Sequence, residues 1–426
     1  MRIIVVGSGA GGATAARELS SMGHDVLVLE AGKPFQPLPR RIVWADRLRG
    51  VGLLGGEKTI DLVFPHVSSL RSSADLVLLR GVTTGGSTTI SCGNAVRAEN
   101  GLNEIGLDLS REYREIEDIL KPTTIPRSRW RPVTQGMYDS ADDLGLEPIP
   151  TPKMVDMNKC VSCGLCEMGC KTGARWTAMS FLKDIEASGG RILTGSPVNR
   201  VIVEGGKARG VEVAAGGSIR RHEADAVVLA AGGIGTAQIL EASGIPSADR
   251  LWVDVVLTLG GVMKDARQMW ENPMAWHVKQ PDYTLSPYPD ILSHMFHKPW
   301  RGVPAGDRVG IMVKMADDQN GSVDANGVVH KELTGADRAR LAEGVDFAES
   351  IMRGAGVNEP FVEGMLNGGH LGGTVPLSRD DVQSMRPSRL PEGLWVADLS
   401  LLPKSQGLPT IMTTMALALR VSRKLE

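Results

Sequence analysis

Four cysteines, Cys160, Cys163, Cys166 and Cys170, follow one another as C-x2-C-x2-C-x3-C. This compact spacing lets one curled loop turn four thiolates inward, as iron–sulfur proteins do to hold a cluster. Gly164 and Gly169 allow the curl. The spacing predicts a [4Fe–4S] cluster ligated by these four residues. Lys171 follows the fourth cysteine where proline is usual, and structural thiols, a disulfide pair or zinc stay open. Zinc favours two separated pairs over one compact run. A fifth thiol, Cys92, reads as a plain buried cysteine. His294 and His297, in H-M-F-H, form either a metal pair or part of a pocket or surface. The aromatics around them (Trp270, Trp276, Phe296, Trp300) fit an apolar pocket or lid as well as a plain core.

A second chemical signature stands at residues 7–12, G-S-G-A-G-G, a G-x-G-x-x-G. The apolar run Arg2 to Val6 precedes it, a helix-forming stretch from Ala13 to Met22 follows, and Asp25 to Leu29 is a second strand ending at Glu30. Gly7 permits the tight turn, Gly9 lets the backbone approach a pyrophosphate, and Gly12 lets helix and strand pack closely. The helix N-terminus then offers unpaired N–H groups to the phosphates. Glu30, 18 residues beyond Gly12, is placed to accept hydrogen bonds from ribose hydroxyls. Strand, glycine turn, helix, strand and acid together predict a dinucleotide site.

Other elements must hold these groups in place. Residues 80–97 are small, polar and glycine-rich, and Gly85, Gly86 and Ser87 suit a backbone that wraps a flat ligand. A Pro-rich connection (Pro34, Pro37, Pro39) leaves the first unit, and a helix is expected from Ser110 to Leu120. Residues 191–231 alternate like a small antiparallel sheet. The last of those runs, Ala226 to Leu229, leads into A-A-G-G-I-G-T-A, a second strand-to-glycine-turn-to-helix unit that includes Ala231 and Gly232. A strand from Gly393 to Asp398 and an amphipathic helix from Thr413 to Leu425 close the chain. With 426 residues, two or three domains are expected. A net charge of −2 gives no basis for nucleic-acid or anionic-membrane binding. Glycine, at 51 residues, exceeds the usual share, which suits close backbone approach to a large cofactor. No apolar run approaches the roughly 18 residues of a membrane span. With no leader segment and no disulfide pattern, a reducing cytoplasm is the expected compartment.

Taken together, these blocks resemble the glucose–methanol–choline (GMC) family of FAD-dependent oxidoreductases. The resemblance rests on the N-terminal fingerprint, G-G-S-T-T-I-S-C-G-N at 85–94, and V-V-L-A-A-G-G-I-G-T-A-Q-I-L-E-A-S-G at 227–244. Near the C-terminus it rests on G-H-L-G-G-T at 369–374 and the blocks between Leu394 and Ala418. It implies an α/β fold, with a three-layer Rossmann-like FAD-binding domain (residues 1–100, 155–250 and 386–426, including the cysteine-rich insert 158–176). A discontinuous α+β substrate or cap domain (101–154 and 251–385) completes it. The pyrophosphate would lie over Gly9, Ala10, Gly11 and Gly12, with Glu30 and Ala31 at the ribose and Val198 to Val201 near the adenine. Asp398 would contact the ribityl chain or pyrophosphate, and Pro409 and Thr410 would also touch the cofactor. His370 aligns with the family's catalytic histidine. Relatives place a second His or Asn just before a proline near the C-terminus; here Leu408 precedes Pro409, leaving the task to His370 with water or Gln406.

Three functions compete on this reading. The first is an FAD-dependent dehydrogenase acting on the CH–OH group of a small molecule, with electrons leaving through the cluster to a ferredoxin-like carrier. The second is the same machinery reducing a C=C bond or carbonyl. The third is a non-catalytic electron-transfer subunit of a larger complex.

Overall fold

The computed structural model describes residues 1–37, 49, 60, 64–73, 76–215 and 217–425. Pro39 of the Pro-rich connection lies outside them. Two sheets carry the architecture. The first has five parallel strands in the order Leu394–Val396, Ala226–Leu229, Arg2–Val6 (β1), Asp25–Leu29 (β2), Arg191–Leu193. The central strands are continuous Val/Ile/Leu/Ala runs because helices or loops cover both faces, the pattern of a parallel sheet. The helix Ala10–Ser21 (α1) packs with β1 and against the last helix, Ile411–Ser422. Ile4, Val28, Val228, Leu19 and Met415 are fully buried between these layers. This is a Rossmann-like α/β fold.

The alternating stretch at 191–231 divides between two sheets. Only Val198–Glu204, Lys207–Ala215 and Ser218–Glu223 form an antiparallel three-stranded sheet. Arg191–Leu193 and Ala226–Leu229 instead join the parallel sheet beside β2 and β1. The reason lies in burial. All four residues Ala-Val-Val-Leu at 226–229 are buried, whereas Ser218–Glu223 leaves five of its six residues exposed.

The second sheet has nine strands, mostly antiparallel. Its order is Val67–Arg71, Val77–Gly81, Asn367–Gly368, Val255–Val262, Arg308–Met315, Tyr283–Pro287, Trp276–Lys279, Ile149–Pro150, with Asn358–Glu363 also paired to Val255–Val262. Strands from residues 67–81 therefore sit with those from 251–370. The helix Gly335–Gly354, started by a Thr334–Asp337 capping box, packs on this sheet. Trp276 is fully buried in the resulting core, and Phe296 and Trp300 are buried elsewhere in this half. All three aromatics serve packing.

Candidate active site

A large cavity of about 700 Å³ is lined by residues of both sheets, within the size range of cofactor and substrate sites. Part of its wall is the turn between β1 and α1. No side chain caps α1, whose N-cap is Gly9, so its first N–H groups face the cavity beside Gly9, Ala10 and Gly11. Gly12 does not line the cavity; it sets the packing beneath it. A Cβ there would stand 2.0 Å from the Gly7 carbonyl oxygen. Gly86 does line the cavity, at φ +53°, with its added Cβ meeting Gly9 Cα at 2.8 Å. The loop at 85–87 thus reaches the fingerprint turn itself, in a backbone conformation that favours glycine.

Of the residues expected at a dinucleotide, Gly7, Gly9, Ala10, Gly11, Glu30, Ala31, Gly86, Ser87, Ala231, Gly232, Asp398, Pro409 and Thr410 all line this one cavity. Gly12, Gly85 and Val201 do not. Val201 is buried, its N–H donating to Ser243 Oγ at 2.8 Å, while Pro197, Val198 and Asn199 take its place on the wall. Glu30 Oε2 accepts from Ser8 N at 3.0 Å and Ser8 Oγ at 2.6 Å, and Oε1 accepts from Gly32 N at 2.8 Å. Burial raises the Glu30 pKa against those bonds. Asp398 Oδ2 accepts from Gly232 N at 2.9 Å and Thr236 Oγ1 at 2.6 Å, tying the second glycine turn to the C-terminal segment. An uncapped helix start, glycines where a Cβ would collide and a buried acid fit a dinucleotide with its pyrophosphate at α1.

His370, just after the short strand Asn367–Gly368, lines the same cavity. It is joined by two charged residues that sequence reading missed. Lys314 Nζ lies 2.6 Å from His370 Nδ1 and 2.7 Å from Asp254 Oδ2. Asp254 Oδ2 is also 3.1 Å from His370 Nδ1. Asp254 Oδ1 accepts from Ser405 Oγ at 2.6 Å, Gln406 N at 2.7 Å and Gly407 N at 2.9 Å. Asp254 adopts φ +50° just before the strand Val255–Val262, a conformation that costs a non-glycine residue about 1 kcal/mol and clusters at functional sites. Burial pushes the Asp254 pKa up, but Lys314 and His370 outweigh it and hold the carboxyl well below the usual range. Burial lowers the Lys314 pKa by more than Asp254 restores. His370 is likewise lowered by burial and by the neighbouring Lys314. Gln406 is no substitute base: its side chain binds the Asn100 and Lys404 carbonyls and the Asn100 N–H. A signal for Lys314 and Asp254 does exist in the sequence. Each is a lone charge within an apolar stretch, V-G-I-M-V-K-M and L-W-V-D-V-V-L.

Cys92, Met274 and Met312 form a small apolar cluster with Val256 and Tyr288 packed on it, and all five line the cavity. Glu167 joins this wall, with Tyr288 Oη donating to its Oε1 at 2.6 Å and Cys92 Sγ at 3.5 Å. Burial pushes the Glu167 pKa up to about 7 although the Tyr288 hydroxyl opposes it. A carboxyl whose folded pKa exceeds its unfolded one loses stability as pH rises through that interval, here from about 4.5 to about 7. Glu167→Gln is therefore expected to stabilise the protein by about 3 kcal/mol at pH 8 and by almost nothing at pH 4. Thermal unfolding at the two pH values checks this.

The cysteine loop supplies Glu167 to the cavity, and the geometry does not support the expected cluster. Cys160 Sγ accepts from Asn272 Nδ2 at 3.4 Å, and Cys170 Sγ contacts Thr172 Oγ1 at 3.4 Å and the Arg175 N–H at 3.5 Å. Among the described residues, no group of three or more His, Cys, Asp or Glu side chains is arranged to hold a metal ion, the His294–His297 pair included. As placed, Cys160, Cys163, Cys166 and Cys170 do not fit a [4Fe–4S] cluster, which needs its thiolates gathered around one centre. The loop is held instead by Asn272 and Tyr288. The purified protein is expected to contain substoichiometric iron and sulfide; four irons per chain would restore the cluster.

A dinucleotide cradle that shares one cavity with His370, Lys314 and Asp254 is the arrangement of a dinucleotide-binding protein with titratable groups facing the cofactor space. The GMC oxidoreductase family model matches residues 1–264, and the chain belongs to that family, whose cofactor is FAD. An uncharacterised protein of Methanocaldococcus jannaschii is 27% identical over 99% of this chain and 98% of its own length. A long-chain-alcohol oxidase of Arabidopsis thaliana is 29% identical over 58% of this chain and 34% of its own. In fold, the chain matches pyridoxine 4-oxidase from Mesorbium loti, with a TM-score of 0.75, 18% identity, and coverage of 100% of this chain and 99% of that one. Among the described residues, no helix is long and apolar enough to cross a membrane.

Proposed function

We propose that the protein is a dehydrogenase oxidising the CH–OH group of a small organic donor, with His370 taking the hydroxyl proton. Bound FAD supplies the hydride acceptor. The chain's own residues do the rest. The apolar wall of Met274, Met312 and Val256 holds the donor's carbon skeleton and excludes water. The carrying observation is that His370 lines the same cavity as the glycine cradle, backed by the buried charges of Lys314 and Asp254. The Arabidopsis relative, a long-chain-alcohol oxidase, points to the same donor class. The test is anaerobic mixing of the FAD-loaded protein with a panel of primary and secondary alcohols. Bleaching of the oxidised flavin by a panel member supports the proposal, and no bleaching by any of them refutes it.

A second reading, reduction of a carbonyl or C=C bond, draws on one contact. An ammonium at Lys314, donating to His370 Nδ1, leaves the ring's proton on Nε2 as an acid. Reoxidation of the reduced enzyme by aldehydes or ketones tests that direction. Electron exit through a [4Fe–4S] cluster to a ferredoxin-like carrier rests on cysteine spacing alone, and no step is assigned to it. A relay subunit without a substrate gains no support from a cavity equipped with both an apolar wall and acid–base groups. In domain terms, we infer that residues 251–385 build the substrate side, joined by the strands Val67–Arg71 and Val77–Gly81.

A further inference from the structure

We propose that Lys314 is a proton-relay positioning residue: by gaining or losing one proton it fixes which ring nitrogen of His370 carries hydrogen, and so whether His370 meets the substrate as acid or as base. The inference rests on the proposed oxidoreductase reading and deepens it. Its physical basis is crowding at one atom. His370 Nδ1 faces both Lys314 Nζ at 2.6 Å and Asp254 Oδ2 at 3.1 Å. With Lys314 as an ammonium, the proton between the two nitrogens belongs to lysine, Nδ1 is the acceptor, and the neutral imidazole carries its hydrogen on Nε2. With Lys314 as a neutral amine, Nδ1–H donates to the amine or to Asp254, and Nε2 offers a lone pair. The two states differ by one proton.

The surroundings keep both states within reach. Lys314 is 4% exposed at its side chain and Asp254 is fully buried, so the ammonium depends on one carboxylate for its stability. Asp254 is itself shared with Ser405, Gln406 N and Gly407 N. The next charges out are Asp317 and Lys331, a fully buried pair linked to Asp254 through Ser405 Oγ. Asp254 and Asp317 draw the Lys314 pKa up, yet burial prevails and lowers it. The Leu408 backbone, at the position where relatives place a second base, interacts with the His370 ring.

In oxidation, the substrate hydroxyl proton passes to His370 Nε2 while the Nδ1 proton passes to the neutral Lys314 amine. The two electrons leave with the hydride to the flavin, and the site ends as ammonium plus Nε2–H imidazole. Reduction runs the same transfers backwards, with His370 giving its Nε2 proton and Lys314 refilling Nδ1. One lysine proton therefore biases the direction of the reaction. Oxidation gains as pH rises through the Lys314 titration, and reduction gains as pH falls.

The test is the nitrogen NMR signature of His370 in FAD-loaded, histidine-labelled enzyme, assigned among the eight histidines by a His370→Gln control. Wild type is expected to show the Nε2–H tautomer near neutrality and to switch to Nδ1–H at alkaline pH. Lys314→Met should hold Nδ1–H throughout and move the midpoint of alcohol-driven flavin reduction down by about one pH unit or more. Lys314→Arg, which keeps the charge and cannot titrate, should hold Nε2–H at every pH and lose oxidation while retaining FAD. It also serves if the methionine variant fails to fold. Nδ1–H in wild type across the whole range, or an Nδ1–H tautomer in Lys314→Arg, overturns the inference. The tautomer readout needs no substrate, so its failure is distinct from a failure of any alcohol to bleach the flavin.

Discussion

Replacing His370 by alanine is expected to lower the rate of flavin reduction by a donor alcohol about 10²–10⁴-fold, the usual worth of a positioned general base. Bound FAD should stay at the wild-type level. The two effects separate because His370 follows a strand of the second sheet, whereas the fingerprint turn belongs to the first. Its loss removes a proton acceptor without touching the glycines at 7–12, the loop at 85–87 or the Asp398–Gly232 link. Stopped-flow reduction and flavin extraction on the same preparation read both quantities. Unchanged reduction would show that another group takes the proton. Loss of flavin would show that the imidazole belongs to the cofactor's binding site.

Asp254→Ala should be the most damaging single change for stability. It leaves the Lys314 ammonium buried without its counter-ion and strips an acceptor from the Gln406 and Gly407 N–H groups. Removing one partner of a buried ion pair costs about 3–5 kcal/mol, a large part of the roughly 5–15 kcal/mol that keeps a domain folded. Asp254→Asn keeps the shape and an acceptor oxygen and should cost less. Adding Lys314→Met to the asparagine variant should recover part of the loss, because the stranded charge goes with it. The acid side follows the same logic. A carboxyl held below its unfolded pKa stabilises the fold above about pH 4 and loses that contribution as pH falls further. Urea unfolding of the four proteins measures these differences.

What the sequence reveals and conceals here follows from range. The run β1, glycine turn, α1, β2, Glu30 is local, and its spacing alone dictates a phosphate-facing turn. The parallel pairing of Ala226–Leu229 with β1 was missed because four apolar residues read equally well in any buried strand; only the partner decides. The Asp254–Lys314–His370 cluster joins residues 56 to 116 positions apart, so no window of sequence contains it. Its trace is two charges set in apolar stretches, V-G-I-M-V-K-M and L-W-V-D-V-V-L. The cysteine spacing describes what a loop is able to do when metal gathers it. The contacts of Cys160 with Asn272 and of Glu167 with Tyr288, each more than 100 residues away, place that loop against the cavity instead.

The position of FAD relative to His370 decides whether the imidazole can serve hydride transfer. A crystal structure of the FAD-loaded protein is expected to show the pyrophosphate over Gly9 to Gly11. It should also place the isoalloxazine within about 4–5 Å of the His370 ring, leaving a donor carbon room to reach the flavin and its hydroxyl room to reach the imidazole. A flavin bound with its ring system away from Met274, Met312 and His370, or a cavity closed between the glycine turn and that histidine, would contradict that role of the imidazole.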